Sequence, residues 1–168
     1  YRKMKYKSLL ILILISSFTL LNALIIKKDN LSLRCMLQMK NYSGHGAYIV
    51  ISLLDENKEY KKTLRILGDD REWYNEIEEW WKFFGKERRN VDGITGATLS
   101  GGERKIIALN VPQKNPDYYL RFETAVEEQK YYPSEIDIKI SQLETTKKYN
   151  GDGYILSLIH ILTLPTRL

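Results

Sequence analysis

Soft metal ligands are scarce in this sequence. Its 168 residues include one cysteine and two histidines. The single cysteine, Cys35, excludes an intramolecular disulfide, and with His45 and His160 it leaves too few ligands for a zinc or iron–sulfur site. We therefore expect no metal site. Because Cys35 alternates with apolar neighbours, we predict a buried thiol that packs as a small hydrophobic side chain.

A surplus of positive charge is also missing from most of the chain. The formal net charge is +5, but four of the 26 basic residues lie within the first seven positions, and no acidic residue precedes Asp29. Beyond residue 23, 22 basic residues face 21 acidic ones. A body so close to neutral lacks the basic field that binding several phosphates requires, so we expect no nucleic-acid binding.

The basic start leads into an apolar run over residues 8–21, with the small residue Ala23 shortly after it. This order is typical of a Sec-type secretory signal, and we predict a signal peptide over residues 1–23 and a periplasmic or secreted protein. An uncleaved anchor is the alternative, because residues 8–26 approach the length that spans a bilayer. Only such a retained signal would bring the chain into contact with the membrane. Polar residues that interrupt the run favour cleavage.

The composition changes abruptly near the C-terminal end, from a charged stretch to an apolar one. Residues 156–168, LSLIHILTLPTRL, resemble a translated sequencing adapter. We interpret them as an adapter-derived tail and leave them out of the fold prediction. The remaining residues 24–155 number about 130, enough for one domain with a real core.

Apolar residues alternate with period two in five short segments, which is typical of half-buried strands. A sixth segment, residues 47–54, is a nearly continuous apolar run and predicts a central strand covered on both faces. Six such strands with one helix among them predict a mainly β protein, an antiparallel β-sandwich with one amphipathic α-helix inserted between strands. The segments are 31–39, 47–54, 63–66, 107–111, 120–126 and 136–140.

The predicted helix follows the third strand. Asp69 or Asp70 can cap its N-terminus, with Glu72 placed as in a capping box, and Gly85 is its predicted end. Its apolar face holds all three tryptophans, which favours an anchor on a sheet over a surface that stacks on a flavin ring. This face comprises Trp73, Tyr74, Ile77, Trp80, Trp81 and Phe84.

The loop between this helix and the fourth strand contains DGITGAT, residues 92–98. It resembles the acceptor motif for covalent flavin attachment found in the flavin-carrying subunits of sodium-pumping quinone reductases. There, a flavin transferase moves FMN from FAD onto the last threonine as a phosphoester. The resemblance implies Thr98 as the acceptor. The remaining motif positions carried over are Asp92 as the leading acid, Gly93, Thr95 as the Ser/Thr position, and the small residues Gly96 and Ala97.

The residue types suit such a role. A threonine hydroxyl is a weak nucleophile near neutral pH, and nothing near Thr98 in the sequence supplies a histidine-based dyad, so a transferase would have to activate it. Glycines and Ala97 predict a narrow, exposed and flexible loop that fits another protein's active site. The alternative is a structural turn in which the hydroxyls of Thr98 and Ser100 bond only local backbone.

A wider resemblance runs from about residue 46 to 126 and is carried by GAYIVISLLDENKEYKKTL, EWWKFFG and VDGITGAT. These segments resemble an uncharacterised family of predicted periplasmic proteins, domain of unknown function 2271. The resemblance implies a secretion signal and a β-rich domain. It also implies genes beside flavin transferases and PepSY-type membrane proteins, which would be the partners.

The leading hypothesis is an exported protein of flavin-based extracytoplasmic electron transfer that carries FMN on Thr98. We do not expect an autonomous enzyme, because the chain offers no nucleophile with a matching base. The alternative is a non-catalytic periplasmic β-sandwich that docks on a membrane redox partner, with DGITGAT as a structural turn.

Overall fold

A computed structural model of the chain describes residues 30–87, 92–112, 115–144 and 146–162. The predicted signal peptide, residues 1–23, lies outside the described residues. Within them, no helix has both the length and the apolar character needed to cross a bilayer.

Eight strands lie in the described part of the chain and form two antiparallel four-stranded sheets. The first sheet has the order β4-β1-β8-β7 and the second β3-β2-β5-β6. Apolar residues of both sheets share one buried core, so the predicted β-sandwich is confirmed. The strands are β1 (Asn30–Met39), β2 (Tyr48–Leu54), β3 (Tyr60–Leu67), β4 (Arg104–Pro112), β5 (Tyr119–Ala125), β6 (Tyr131–Lys139), β7 (Lys148–Tyr149) and β8 (Ile155–Leu162).

Strand β1 shows why the period-two pattern predicts this fold. Leu33, Cys35, Leu37 and Met39 point into the core with 1% exposure or less. The residues between them lie on the other face, as alternation in a strand requires. Burial raises the pKa of the Cys35 thiol to about 12. The thiol is therefore protonated at neutral pH and packs as a small apolar side chain, as predicted.

The helical region between β3 and β4 is less regular than the sequence predicts. A 3-10 helix spans Arg71–Glu76, with the Asp70 carboxylate accepting from the Glu72 N–H at 3.0 Å. Ile77 leaves helical geometry at φ −89° and ψ 68°, and helix α1 then spans Glu78–Glu87. The prediction that Gly85 ends the helix is wrong, because the backbone ladder continues to Glu87.

The break at Ile77 lets both helical pieces bury apolar side chains on the outer face of the second sheet. Tyr74, Ile77 and Trp80 are at most 1% exposed there. The Trp80 Nε1–H donates to Thr63 Oγ1 on β3 at 2.8 Å. Most of the aromatic face therefore anchors the helix on the sheet, as predicted, but Trp81 is 37% exposed and its assignment to this face is wrong.

Strand β8 includes residues that the sequence analysis left out of the fold. It pairs with β1 on one side and with β7 on the other, and His160 is fully buried within it. The structure thus places residues 156–162 inside a sheet. The interpretation of residues 156–168 as adapter-derived stays a prediction, and residues 163–168 lie outside the described part.

Candidate functional site

The DGITGAT segment runs past the end of β3 before the chain enters β4. It begins with a single 3-10 turn, Asp92–Ile94, and continues without regular structure through Thr98. Leu99 then forms an isolated antiparallel bridge with Ala47, next to the start of β2. The motif is therefore laid across one end of the second sheet.

Two backbone anchors flank the end of the motif. On one side, the Gly68 N–H donates to the Gly96 carbonyl at 2.5 Å. On the other, Ala47 and Leu99 exchange two hydrogen bonds, of 2.7 Å and 3.1 Å. The expected flexible loop is thus tied down on both sides of Ala97 and Thr98, which holds these two residues at a defined place on the surface.

The Gly68 anchor is itself fixed from the helical region. The Tyr74 hydroxyl donates to the Gly68 carbonyl at 2.9 Å. Gly68 has φ +136°, and a Cβ at this position would lie 2.1 Å from the Tyr48 ring. Only glycine combines this backbone conformation with so close an approach. The aromatic anchor of the helix therefore also sets the position of the motif.

Tyr42 is a second fixing residue, and sequence reasoning missed it. Its hydroxyl donates to the Leu99 carbonyl and accepts from the Ala47 N–H at 2.8 Å. The hydroxyl thus reinforces the bridge that follows the motif. Because 57 residues separate Tyr42 from Leu99, no spacing in the sequence indicates the contact.

Thr98 lies directly against the backbone of Gly46. A Cβ on Gly46 would lie 2.4 Å from Thr98 Oγ1 and 2.8 Å from Thr98 Cβ, distances that real side chains do not show. Thr98 is half-buried, whereas its neighbour Ala97 is exposed. The hydroxyls of Thr98 and Ser100 form no hydrogen bond with a residue that the structure describes. The described geometry therefore does not contain the local hydroxyl-to-backbone bonds of the structural-turn alternative.

The other predicted site residues form one contiguous segment. Gly93 is exposed, with open space at its Cβ position, and Thr95 and Gly96 are half-buried. The Asp92 side chain lies outside the described part. The assignment of these residues to a flavin site stays a prediction.

A positive charge lies beside the motif. Arg65 Nη2 is 3.6 Å from the position that a Cβ on Gly96 would take. Its Nε is buried and has no hydrogen-bond partner. Strict alternation over residues 63–66 would place Arg65 with Thr63, on the face opposite Leu64 and Ile66. A register shift between Ile51 and Ser52 changes which β3 residues share a face, and Arg65 pairs with the core residue Ile51.

The imidazole nearest in sequence to this site belongs to His45, the residue before Gly46. It is 73% exposed, and its Nδ1 lies 3.9 Å from Glu127 Oε2. His45 makes no hydrogen bond to Thr98 in the described structure. Within the described ranges, no group of three or more His, Cys, Asp or Glu residues could hold a metal ion. The site thus combines the half-buried Thr98 hydroxyl with a cation beside Gly96, and no described residue accepts a hydrogen bond from that hydroxyl as a base would.

Comparison with known proteins gives one family. No curated protein matches the chain, and neither does any solved structure. A family model described as a predicted periplasmic protein matches residues 30–157. This span includes strands β1 to β7, the helical region and the whole DGITGAT segment. With most of its length matched, the chain belongs to the DUF2271 family of predicted periplasmic proteins.

Proposed function

We propose that this protein is an exported carrier of covalently attached FMN in extracytoplasmic electron transfer, with Thr98 as the attachment residue. The observation that carries the proposal is the placement of Thr98. Its hydroxyl closes a DGITGAT segment, lies between two backbone anchors, and makes no hydrogen bond to a described residue. Membership of a periplasmic family supports the location that such a carrier needs.

The residues around Thr98 fit an attached phosphoester. Ala97 is small and exposed, and Gly46 has no side chain that would crowd Thr98 Oγ1. The guanidinium of Arg65 lies beside Gly96, and its planar fork of donors suits the oxygens of a phosphate. A covalent bond also removes the need for a deep dedicated pocket. FMN, when attached, supplies reversible electron uptake at its isoalloxazine ring.

The chain's own part in attachment is to present a hydroxyl. In the proposed transfer, Thr98 Oγ forms a bond to the FMN phosphorus of FAD, the bond between that phosphorus and the bridging pyrophosphate oxygen breaks, and AMP leaves. The hydroxyl proton passes to a base on the flavin transferase, because none of the described residues hydrogen-bonds Thr98. No group is oxidised or reduced in this step.

This division of labour requires a flavin transferase, and the family resemblance implies the electron partner. A flavin transferase modifies the chain, and a PepSY-type membrane redox protein exchanges electrons with it. The protein itself relays electrons and does not turn over a substrate. The alternative is a docking module on the same membrane partner, since the bonds at Gly96 and Leu99 would also suit a structural turn.

Flavin fluorescence in a denaturing gel tests the proposal. The full chain is co-expressed with a flavin transferase as wild type, Thr98→Ala and Ser100→Ala. We expect a fluorescent band for wild type and Ser100→Ala and a dark band for Thr98→Ala. Ser100 is a matched control, because it is an exposed hydroxyl two residues away. Dark wild-type protein beside a fluorescent control substrate of the same transferase would favour the docking module.

A further inference from the structure

We propose that Arg65 binds the phosphate of the flavin phosphoester on Thr98, an inference that rests on the proposed function. Arg65 would be a positioning residue, which neutralises the phosphate and fixes the start of the attached group against the end of β3. Neither the motif nor the spacing of residues in the sequence indicates this role.

Arg65 lies on the face of β3 that is turned toward the shared core. Paired residues in an antiparallel sheet project from the same face, and Arg65 pairs with Ile51, which is fully buried in the shared core. A half-buried guanidinium on this face has lost part of its hydration and requires a partner. Its Nε has none, and Arg65 forms no ion pair with any described carboxylate.

Arg121 is a second arginine in this sheet, and its guanidinium is paired within the chain. It lies on β5 with its side chain 12% exposed. Its Nε and Nη2 each bond one oxygen of the Asp137 carboxylate at 2.8 Å. This bidentate pair satisfies the guanidinium within the protein. The guanidinium of Arg65 has the same chemistry and no such carboxylate among the described residues, which points to an anion that arrives from outside the chain.

The position of Arg65 indicates that this anion is the phosphoester on Thr98. Its Nη2 lies beside Gly96, whose carbonyl is held by the Gly68 N–H. Thr98 follows two residues later, so its Cα lies within about 7 Å of the Gly96 Cα by backbone dimensions. A phosphoester on Thr98 carries a negative charge and oxygens that match the fork of a guanidinium. The Arg65 guanidinium, whose Nε–H has no hydrogen-bond partner, therefore lies close to where the phosphoester on Thr98 would be.

The test compares Arg65→Gln, Arg65→Lys and Lys62→Gln in full-length protein that has been co-expressed with the transferase. Lys62 is the matched control, because it is an exposed cation on the same strand. Intact mass reports attachment, far-UV circular dichroism reports folding, and the phosphorus-31 resonance of the attached phosphoester reports its surroundings. We expect this resonance to shift in Arg65→Gln, to shift less in Arg65→Lys, and to match wild type in Lys62→Gln.

The outcomes separate this inference from the proposed function. Wild-type protein without FMN would overturn both. Modified protein whose phosphorus-31 resonance is the same in wild type and Arg65→Gln would overturn only the role of Arg65. A folded Arg65→Gln that acquires less FMN than Lys62→Gln would support that role, because the phosphate is then not held during transfer. If Arg65→Gln does not fold, Arg65→Lys decides, and a resonance identical to wild type would overturn the inference.

Discussion

Replacing Glu123 with glutamine is expected to flatten the dependence of folding stability on pH. Glu123 lies on β5 and is fully buried. Its carboxyl oxygens accept hydrogen bonds from Tyr60 at 2.7 Å and from Tyr131 at 2.5 Å. Burial outweighs these bonds and the nearby positive charge of Arg121, and it raises the pKa of Glu123 from 4.5 to about 7. The folded protein therefore holds a proton on Glu123 at pH values where the unfolded chain has released it.

This difference sets the sign and the size of the effect. Where the native state binds more protons than the unfolded state, stability falls as pH rises. The contribution of Glu123 is complete below pH 4.5 and is lost as pH rises through about 7. At 1.36 kcal/mol per pKa unit, the loss is about 3 kcal/mol. Glutamine is neutral at every pH, so Glu123→Gln should be more stable than wild type by up to this amount above pH 7 and similar to it near pH 4.5.

Urea unfolding followed by tryptophan fluorescence measures this effect at a series of pH values from 4.5 to 8. Burial also raises the pKa of Glu135. Both proteins keep the pH dependence that comes from Glu135, so the difference between their stability profiles isolates Glu123. Glu56→Gln is the control, because Glu56 is an exposed carboxyl outside the core. Parallel stability profiles for wild type and Glu123→Gln would refute the reasoning.

Two further substitutions test the geometry around the motif. Gly46→Ala would place a Cβ 2.4 Å from Thr98 Oγ1, and we expect a severalfold lower fraction of modified protein by intact mass after co-expression with the transferase. Gly85→Ala, whose Cβ would lie an ordinary 3.4 Å from its nearest neighbour, should be modified as wild type; equal modification of both variants would contradict the crowding argument. Tyr42→Phe removes the hydroxyl that bonds the Leu99 carbonyl and should lower the free energy of unfolding by about 1 kcal/mol. An unchanged urea midpoint would show that the bridge after the motif does not depend on this hydroxyl.

Sequence patterns predicted the parts of the fold that depend on residues close to one another in the sequence. All six predicted strands are present. Alternation indicated five of them, because side chains on one face of a strand share one environment, and a continuous apolar run indicated the strand over residues 47–54. The Asp70 cap was also predictable, since it involves neighbouring residues. The break at Ile77 was not, because it results from packing Tyr74 and Trp80 together against a sheet that the helical pattern does not describe.

In the candidate site, too, the sequence predicted the local feature and missed the contacts between distant residues. The motif identified Thr98, but its contact with Gly46 joins residues 52 positions apart through the bridge between Ala47 and Leu99. Alternation over residues 63–66 does not give the face of Arg65, because the irregular pairing beside Ile51 changes which residues share a face and leaves no mark in the sequence. Contacts that depend on register and topology therefore had to come from the structure.

The most direct test of the central claim is the intact mass of the full chain co-expressed with a flavin transferase, measured for wild type and Thr98→Ala. Wild type should gain the mass of one FMN phosphoester, and Thr98→Ala should gain nothing. An unmodified wild type, with a folded protein and a transferase that modifies its control substrate, would contradict the account. An equal mass gain in Thr98→Ala would contradict the assignment of Thr98.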